Sequence, residues 1–166
     1  LCDASARGLL VRQPDAGARD LIEAMARLVE AGWGQDNPAF RQMFTTQFFP
    51  AATREQMEAF NELQRLSCTP VQAGRMVRML AKLDASAWLG DLTCPTLVLH
   101  CRGDAPIPLA EALFLAAHIP GARLEILESA NHVPLEGEPA FARMLELLDA
   151  FLPSPSCAAA DAEFAG

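Results

Sequence analysis

The sequence predicts an α/β fold in which parallel strands carry flanking helices and a helical cap. Residues 15–83 place apolar side chains at helical spacing, interrupted by repeated helix-start signals. Residues 94–152 instead follow the order strand, helix, strand, helix, which requires parallel strands joined by a right-handed crossover. Two strands are few for a buried parallel sheet. We therefore expect a partial fold, with the N-terminal half of the sheet missing from this chain.

The composition excludes several classes of protein. The chain has 166 residues, of which 51% are hydrophobic and 20% charged, so it can bury a core. Its formal net charge of −8 argues against a surface that binds nucleic acid, and no apolar run approaches the roughly 18 residues of a membrane span. The five cysteines are scattered without the spacing of metal ligands. We expect reduced thiols, a cytoplasmic protein and neither metal nor cofactor.

The first two helices are predicted from apolar spacing and helix-start signals. The first covers residues 16–31, and its buried face is predicted to consist of Leu21, Ile22, Met25, Leu28 and Val29. The second begins after Asn37, with Pro38 at the first helical position and Pro50 as its stop. Six large aromatic residues of this region either pack between helices or line an apolar pocket under a cap: Trp33, Phe40, Phe44, Phe48, Phe49 and Phe60.

Two capping boxes predict the next two helices. Thr53 precedes Gln56 by three residues, and Thr69 precedes Gln72 in the same way. Each threonine can accept from a free amide of the first turn, and each glutamine can reach back to the capping residue. The apolar face of the fourth helix is predicted to contain Met76, Val77, Leu80 and Leu83.

The second half of the chain predicts a βαβα unit. Residues 96–100 are continuously apolar and rich in β-formers, which is typical of a buried parallel strand. A helix over 109–118, a strand over 123–127 and a last helix over 138–152 follow. We therefore divide the chain into a connection from an upstream core (1–14), a helical cap (15–86), the C-terminal βαβα part of the core (87–152) and a disordered tail or linker (153–166).

Asp104 and His132 follow the two predicted strands and are the candidate site residues. Sites in open α/β sheets form where parallel strands end, so both side chains are expected at one edge. A carboxylate that binds one imidazole nitrogen fixes the tautomer and leaves the other nitrogen free to act as a base. The pair would then be two thirds of a nucleophilic triad. Taken singly, Asp104 also fits an ordinary turn residue and His132 a solvated loop side chain.

Other polar residues of this half are assigned structural roles. Ser129 is predicted to shape its loop, Glu138 to stabilise the dipole of the last helix, and His118 to bind the final carbonyls of its own helix. His100 and Cys101 are neighbours on a strand and point to opposite faces, so they are not expected to share a metal.

Three segments resemble the α/β-hydrolase-fold proteins in the order and spacing of that family. Residues 94–104, CPTLVLHCRGD, resemble its segment (C/V)PTLVLHGxxD. Residues 119–124, IPGARL, resemble its turn into the last strand, and residues 131–139 resemble its (G/N)HxxxxExP loop. The resemblance covers roughly residues 90–152. It implies that Asp104 is the triad acid and His132 the triad base.

The same resemblance implies a nucleophile that this sequence does not contain. The family carries its serine in a G-x-S-x-G elbow upstream of the cap, and no serine here has those flanking glycines. The oxyanion-hole loop, also upstream in the family, is likewise absent. We therefore expect the 166 residues alone to be inactive.

Two functions follow from the resemblance. The first is a serine hydrolase of small ester or acyl substrates, which needs no cofactor. The alternative is a hydrolase-like sensor of a small ligand in a transcriptional regulator or cyclase, without catalysis. Residues 33–38 resemble a bacterial subgroup whose members are often fused to such modules. In either case the expected partner is a small molecule, not nucleic acid or a membrane, and an upstream G-x-S-x-G would favour the enzyme.

Overall fold

The computed structural model describes residues 1–152, so the tail predicted over 153–166 lies outside the described residues. The elements, in chain order, are α1 (Leu9–Arg12), α2 (Ala16–Gly32), α3 (Ala39–Phe48), α4 (Arg54–Ser67), α5 (Pro70–Lys82), a 3₁₀ helix (Ser86–Asp91), β1 (Leu97–Cys101), α6 (Leu109–His118), β2 (Arg123–Leu127) and α7 (Pro139–Phe151). The short α1 and the 3₁₀ helix are additions to the predicted elements. The predicted α/β class with parallel strands is confirmed.

The two capping boxes form as the sequence predicts. Thr53 Oγ1 accepts from the amide of Gln56 at 3.2 Å, and Gln56 Oε1 accepts from the amide of Thr53 at 2.8 Å. Thr69 and Gln72 repeat the exchange at 3.3 and 3.0 Å. Four backbone amides at two helix starts are thereby satisfied, which is why these starts are readable from local sequence.

The predicted buried faces of α2 and α5 are partly wrong. In α2, Leu21 is 52% exposed, and the buried positions include small residues such as Ala26 and Gly32. Of the four residues that were expected to form the apolar face of the fourth predicted helix, Met76 and Leu80 of α5 are exposed, and so is Leu83, which follows the helix. α2 and α5 pack on each other closely enough that Gly74 has no room for a side chain beside Glu30. The side chain of Glu30 therefore fills the space beside Gly74.

The sheet is the centre of the second half. β1 and β2 pair in parallel, from Leu97 opposite Arg123 to Cys101 opposite Leu127. All five residues of β1 are buried. One face of the sheet packs on α6 and the other on α7. Cys2 forms a single parallel bridge to Leu99 on the other side of β1, so β1 lies between two neighbouring chain segments.

Two further findings concern the helices and the cysteines of the described residues. Within residues 1–152, no helix combines the length and apolar character required to cross a membrane. The cysteines of the same residues, Cys2, Cys68, Cys94 and Cys101, are free thiols.

Candidate active site

The loops that follow β1 and β2 bring Asp104 and His132 together. Oδ2 of Asp104 lies 2.9 Å from Nδ1 of His132. The Asp104 side chain is fully buried, whereas 19% of the His132 side chain is exposed. A buried carboxylate in this contact favours the tautomer with its proton on Nδ1. Nε2 then keeps its lone pair and can accept a proton from a reacting group.

The loop of Asp104 lies directly against the loop of His132. The amide of Gly103 donates to the carbonyl of Ser129 at 3.0 Å. A Cβ at Gly103 would lie 2.8 Å from the Cα of Ala130, so only glycine permits this approach. Asp104 is held in turn by its own amide, which donates to the carbonyl of Cys101, and by the amide of Ile107, which donates to Oδ1 at 3.3 Å.

Glu138 organises the loop that carries His132. Its carboxylate accepts from the Ser129 hydroxyl at 2.6 Å, from the Asn131 amide group at 2.7 Å and from the backbone N–H of Leu135 at 2.7 Å. Burial acts to raise the pKa of Glu138, but the hydrogen bonds from Ser129, Leu135 and Asn131 outweigh it and lower that pKa.

This arrangement adds a role for Glu138 and agrees with the prediction for Ser129. Glu138 is the capping residue of α7, but its side chain accepts no hydrogen bond from the amides of that helix. The carboxylate therefore holds the loop while it stands beside the start of α7, and its effect on the helix dipole stays a prediction. Ser129 acts on loop geometry as expected, because its hydroxyl also accepts from the amide of Asn131 at 3.0 Å.

The end of α3 contacts the same loop. The backbone N–H of His132 donates to the carbonyl of Phe48 at 2.6 Å, and the two rings meet edge to face with centroids 4.9 Å apart. The amide of Ala51 donates to Oδ1 of Asn131 at 2.9 Å. These contacts join the helical region to the His132 loop. They involve backbone groups, which a pattern of side-chain types does not reveal.

An apolar groove lies beside this junction. It has a volume of about 270 Å³ and is lined by Phe49, Ala52, Gln56, Ala59, Phe60, Leu63 and Leu135. Leu135 belongs to the His132 loop, and Phe49 follows the residue that contacts the His132 ring. The sequence left open whether the aromatic residues pack between helices or line a pocket, and both occur. Trp33 and Phe44 pack together in the helical region, while Phe49 and Phe60 line the groove.

One cluster of ligand-type side chains occurs within residues 1–152. Single ligand atoms of Asp3, His100 and Asp104 lie within 4.8 Å of one another. Asp104 is already bonded to His132, and Asp3 accepts from the backbone N–H of Cys101 at 2.7 Å. We therefore assign no metal to this cluster. His100 and Cys101 were predicted to point to opposite faces of the strand. Both side chains nevertheless lie within 3.6 Å of the Asp3 carboxylate.

Asp3 and Phe48 were not predicted to lie around the two candidate residues, and Glu138 was predicted only to stabilise the dipole of its helix. Glu138 lies close to His132 in the sequence, but the glutamate position of the resembled (G/N)HxxxxExP loop is occupied here by Gly137. Asp3 is about a hundred residues from its contacts along the chain, and local spacing carries no information about it. The minor prediction for His118 is borne out, because its Nδ1 lies 2.8 Å from the carbonyl of Phe114.

Comparison with known proteins identifies the fold. No protein-family model matches the chain. An esterase from Exiguobacterium antarcticum matches with a TM-score of 0.66 and 22% identity, over 80% of this chain and 47% of that one. A thermophilic esterase from Thermogutta terrifontis matches with a TM-score of 0.64 and 24% identity, over 92% of this chain and 56% of that one. An α/β-hydrolase enzyme from a deep-sea metagenome library matches with a TM-score of 0.65 and 17% identity, over 92% of this chain and 55% of that one. The chain thus has a partial α/β-hydrolase fold.

A curated relative adds a local sequence match. The pimeloyl-[acyl-carrier protein] methyl ester esterase of Aromatoleum aromaticum is 38% identical over 72 residues, which are 43% of this chain and 29% of that protein. The chain spans about half the length of the solved structures it matches.

Proposed function

We propose that this chain supplies the acid and the base of a serine hydrolase that acts on small ester or acyl substrates. The observation that carries the proposal is the 2.9 Å contact between the buried Asp104 and the partly exposed His132. A serine from elsewhere in the protein would be the nucleophile. The chain's own contribution is to take the proton from that serine and to stabilise the imidazolium that results.

The proposed reaction has two proton-balanced stages. His132 Nε2 accepts the proton of the serine hydroxyl as its oxygen bonds to the acyl carbon, and then donates it to the departing alcohol. In the second stage Nε2 takes a proton from water as the water oxygen bonds to the acyl carbon, and the proton returns to the serine oxygen. Asp104 stays ionised throughout and holds Nδ1–H in place.

The apolar groove supports an acyl substrate with a hydrocarbon portion. Its lining is almost wholly apolar, and Leu135 connects it to the His132 loop. The similar esterase from Aromatoleum aromaticum acts on a methyl ester. We place the protein in the cytoplasm, because its free thiols fit a reducing compartment.

The rival proposal is a ligand sensor attached to a transcriptional regulator or cyclase module. A sensor needs the groove but has no use for a base whose tautomer is fixed by a buried carboxylate. Hydrolysis is therefore the function that the described geometry supports better.

Hydrolysis of p-nitrophenyl acetate, butyrate and octanoate by the full-length protein tests the proposal. His132→Ala should lower kcat by about 10³-fold or more. His118→Ala is the matched control, because His118 is exposed at the end of α6, and it should retain full activity. A folded protein that cleaves none of these esters, or a His132→Ala variant as active as the wild type, would reject the hydrolase. Binding of an apolar ligand by such an inactive protein would support the sensor.

A further inference from the structure

A second buried histidine lies behind the Asp104–His132 pair. His100, on β1, is fully buried, and its Nδ1 is 3.3 Å from Oδ1 of Asp3. One ring nitrogen of His100 and one carboxylate oxygen from each of Asp3 and Asp104 lie within 4.8 Å of one another. The four side chains therefore follow one another in the order carboxylate, imidazole, carboxylate, imidazole, from Asp3 to His132.

The hydrogen-bonding capacity of His100 is unused in this arrangement. Neither ring nitrogen has a hydrogen-bond partner among residues 1–152. Buried polar groups are normally paired, and an unpaired one is costly. The ring thus lies close to two acceptors without committing its N–H to either of them.

Asp3 is well supplied with donors on its other side. The backbone N–H of Cys101 donates to Oδ1 at 2.7 Å, and the thiols of Cys2 and Cys101 lie 3.2 and 3.6 Å from Oδ2. Burial, together with Asp3, raises the pKa of the Cys2 thiol to about 12 and also raises the pKa of Cys101. Both sulfurs therefore remain protonated near neutral pH and act as donors to the Asp3 carboxylate.

We propose that His100 is a positioning residue for the Asp104–His132 pair: poised between Asp3 and Asp104, it sets how strongly Asp104 holds the Nδ1 proton of His132. The functional meaning of this coupling rests on the proposed hydrolase activity, but the coupling itself is a property of the buried cluster. The titratable side chains that face His100 are Asp3 and Asp104, and Asp3 is contacted in turn by the thiols of Cys2 and Cys101.

The direction of the effect follows from competition for one proton. A neutral His100 has a single N–H, which Asp3 and Asp104 both attract. An N–H turned toward Asp104 withdraws negative charge from it and weakens its hold on the His132 proton. Asp3 limits this by attracting the same N–H. Loss of the His100 donor should therefore make His132 more basic, and loss of the Asp3 charge should make it less basic.

Titration of the His132 ring by NMR in the full-length protein tests this without requiring catalysis. His100→Leu should raise the titration midpoint by roughly half a pH unit, because an N–H dipole close to the Asp104 carboxylate is removed although no hydrogen bond is lost. Asp3→Asn should lower it by roughly half a unit, since a neighbouring charge is removed. Asparagine is the suitable replacement because Asp3 has a φ of +43°, which asparagine tolerates.

Two further variants separate a positioning role from a merely structural one. His100→Gln keeps an N–H donor and should restore the wild-type midpoint. His118→Gln, at the exposed end of α6, should leave it unchanged. Where hydrolysis is measurable, the acid limb of the kcat/KM profile should move with the midpoint in each variant.

Unchanged midpoints in folded His100→Leu and Asp3→Asn proteins would overturn the proposal. If His100→Leu does not fold, Asp3→Asn and His100→Gln decide by the same criterion. Midpoints that shift as expected in a protein that cleaves no ester would reject the hydrolase and leave the coupling established.

Discussion

The βαβα region and the helical region bury their residues by different rules. In β1 four apolar residues and His100 are all inaccessible to solvent. In the helical region α4 turns Asn61 and Gln64 inward, while Leu63 and Leu66 are 60% and 68% exposed. A strand between two layers has no exposed face, so its composition determines its burial. A helix always has an exposed face, and its neighbours decide which face that is.

A hydrogen-bond network makes the polar burial possible. Thr45 Oγ1 donates to Oδ1 of Asn61 and accepts from Nε2 of Gln64, both at 2.7 Å. Nδ2 of Asn61 donates to Oε1 of Gln42 at 2.6 Å. A fully paired polar network is tolerated inside a protein and specifies one packing of α3 on α4. This matters for the site because α3 ends at Phe48, which contacts His132.

The largest effect is expected where the two loops of the βαβα region meet. Asp104→Asn should lower kcat for ester hydrolysis by about 10⁴-fold in the full-length protein, because the amide favours the wrong tautomer of His132. The unfolding temperature should change little, which is the control that the fold is intact. Wild-type activity in this variant would show that the 2.9 Å contact has a structural role only.

The next effect concerns the loop that joins the two regions. Glu138→Ala should lower the free energy of unfolding by about 3 kcal/mol, because three donors lose their acceptor. The stabilisation depends on pH. Since the folded-state pKa of Glu138 is lowered, its contribution is complete above the ordinary glutamate value of about 4.3 and is lost as pH falls through the folded value.

Glu138→Gln tests the charge separately. Chemical denaturation at pH 7 and at about pH 3.5 should show a smaller acid-induced loss of stability in this variant than in the wild type. An equal loss in both proteins would mean that other carboxylates cause the acid sensitivity.

The polar network of the helical region should give a smaller effect. Thr45→Val keeps the side-chain volume but leaves Oδ1 of Asn61 and Nε2 of Gln64 without their shared partner, so the free energy of unfolding should fall by about 2 kcal/mol. Thr46→Val is the matched control, because Thr46 is exposed on the same helix. If both variants were equally stable, polar burial would not hold α3 on α4, and the contrast with the sheet would weaken.

The smallest effect is expected at the exposed apolar positions. Leu66→Ala should change the free energy of unfolding by less than about 0.5 kcal/mol. The same substitution in the sheet, Leu99→Ala, should cost about 2–5 kcal/mol because it empties a buried position. Denaturant unfolding of the pair measures the difference. A large loss of unfolding free energy in Leu66→Ala would show that this residue is covered in the full-length protein. Apolar residues would then be buried in both regions.

Much of the fold could be predicted because its signals are local. The helix over Leu109–His118 and the strand over Arg123–Leu127 have the predicted bounds, since proline and glycine mark their ends. The first strand is shifted by one residue, to Leu97–Cys101. The 3₁₀ helix over Ser86–Asp91 was missed, because such a short element lacks a period that sequence could show.

The contact between Asp104 and His132 could be predicted, but the groups that surround the pair could not. Asp104 and His132 each follow a strand that the sequence marks clearly, and parallel strands end at one edge. Asp3 and the carbonyl of Phe48 reach the site from distant parts of the chain. Contacts of this kind depend on how elements pack, and spacing along one segment does not encode them.

The sequence by itself determined the order of strands and helices, the two capping boxes and the meeting of Asp104 with His132. These features follow from backbone hydrogen bonding and from the geometry of parallel strands, which act over a few residues. Only the tertiary structure decided that α4 buries its polar face, that Glu138 holds the His132 loop and that His100 lies between Asp3 and Asp104. Each of these depends on which surfaces face each other, because a polar group can be buried only where another segment supplies its partner.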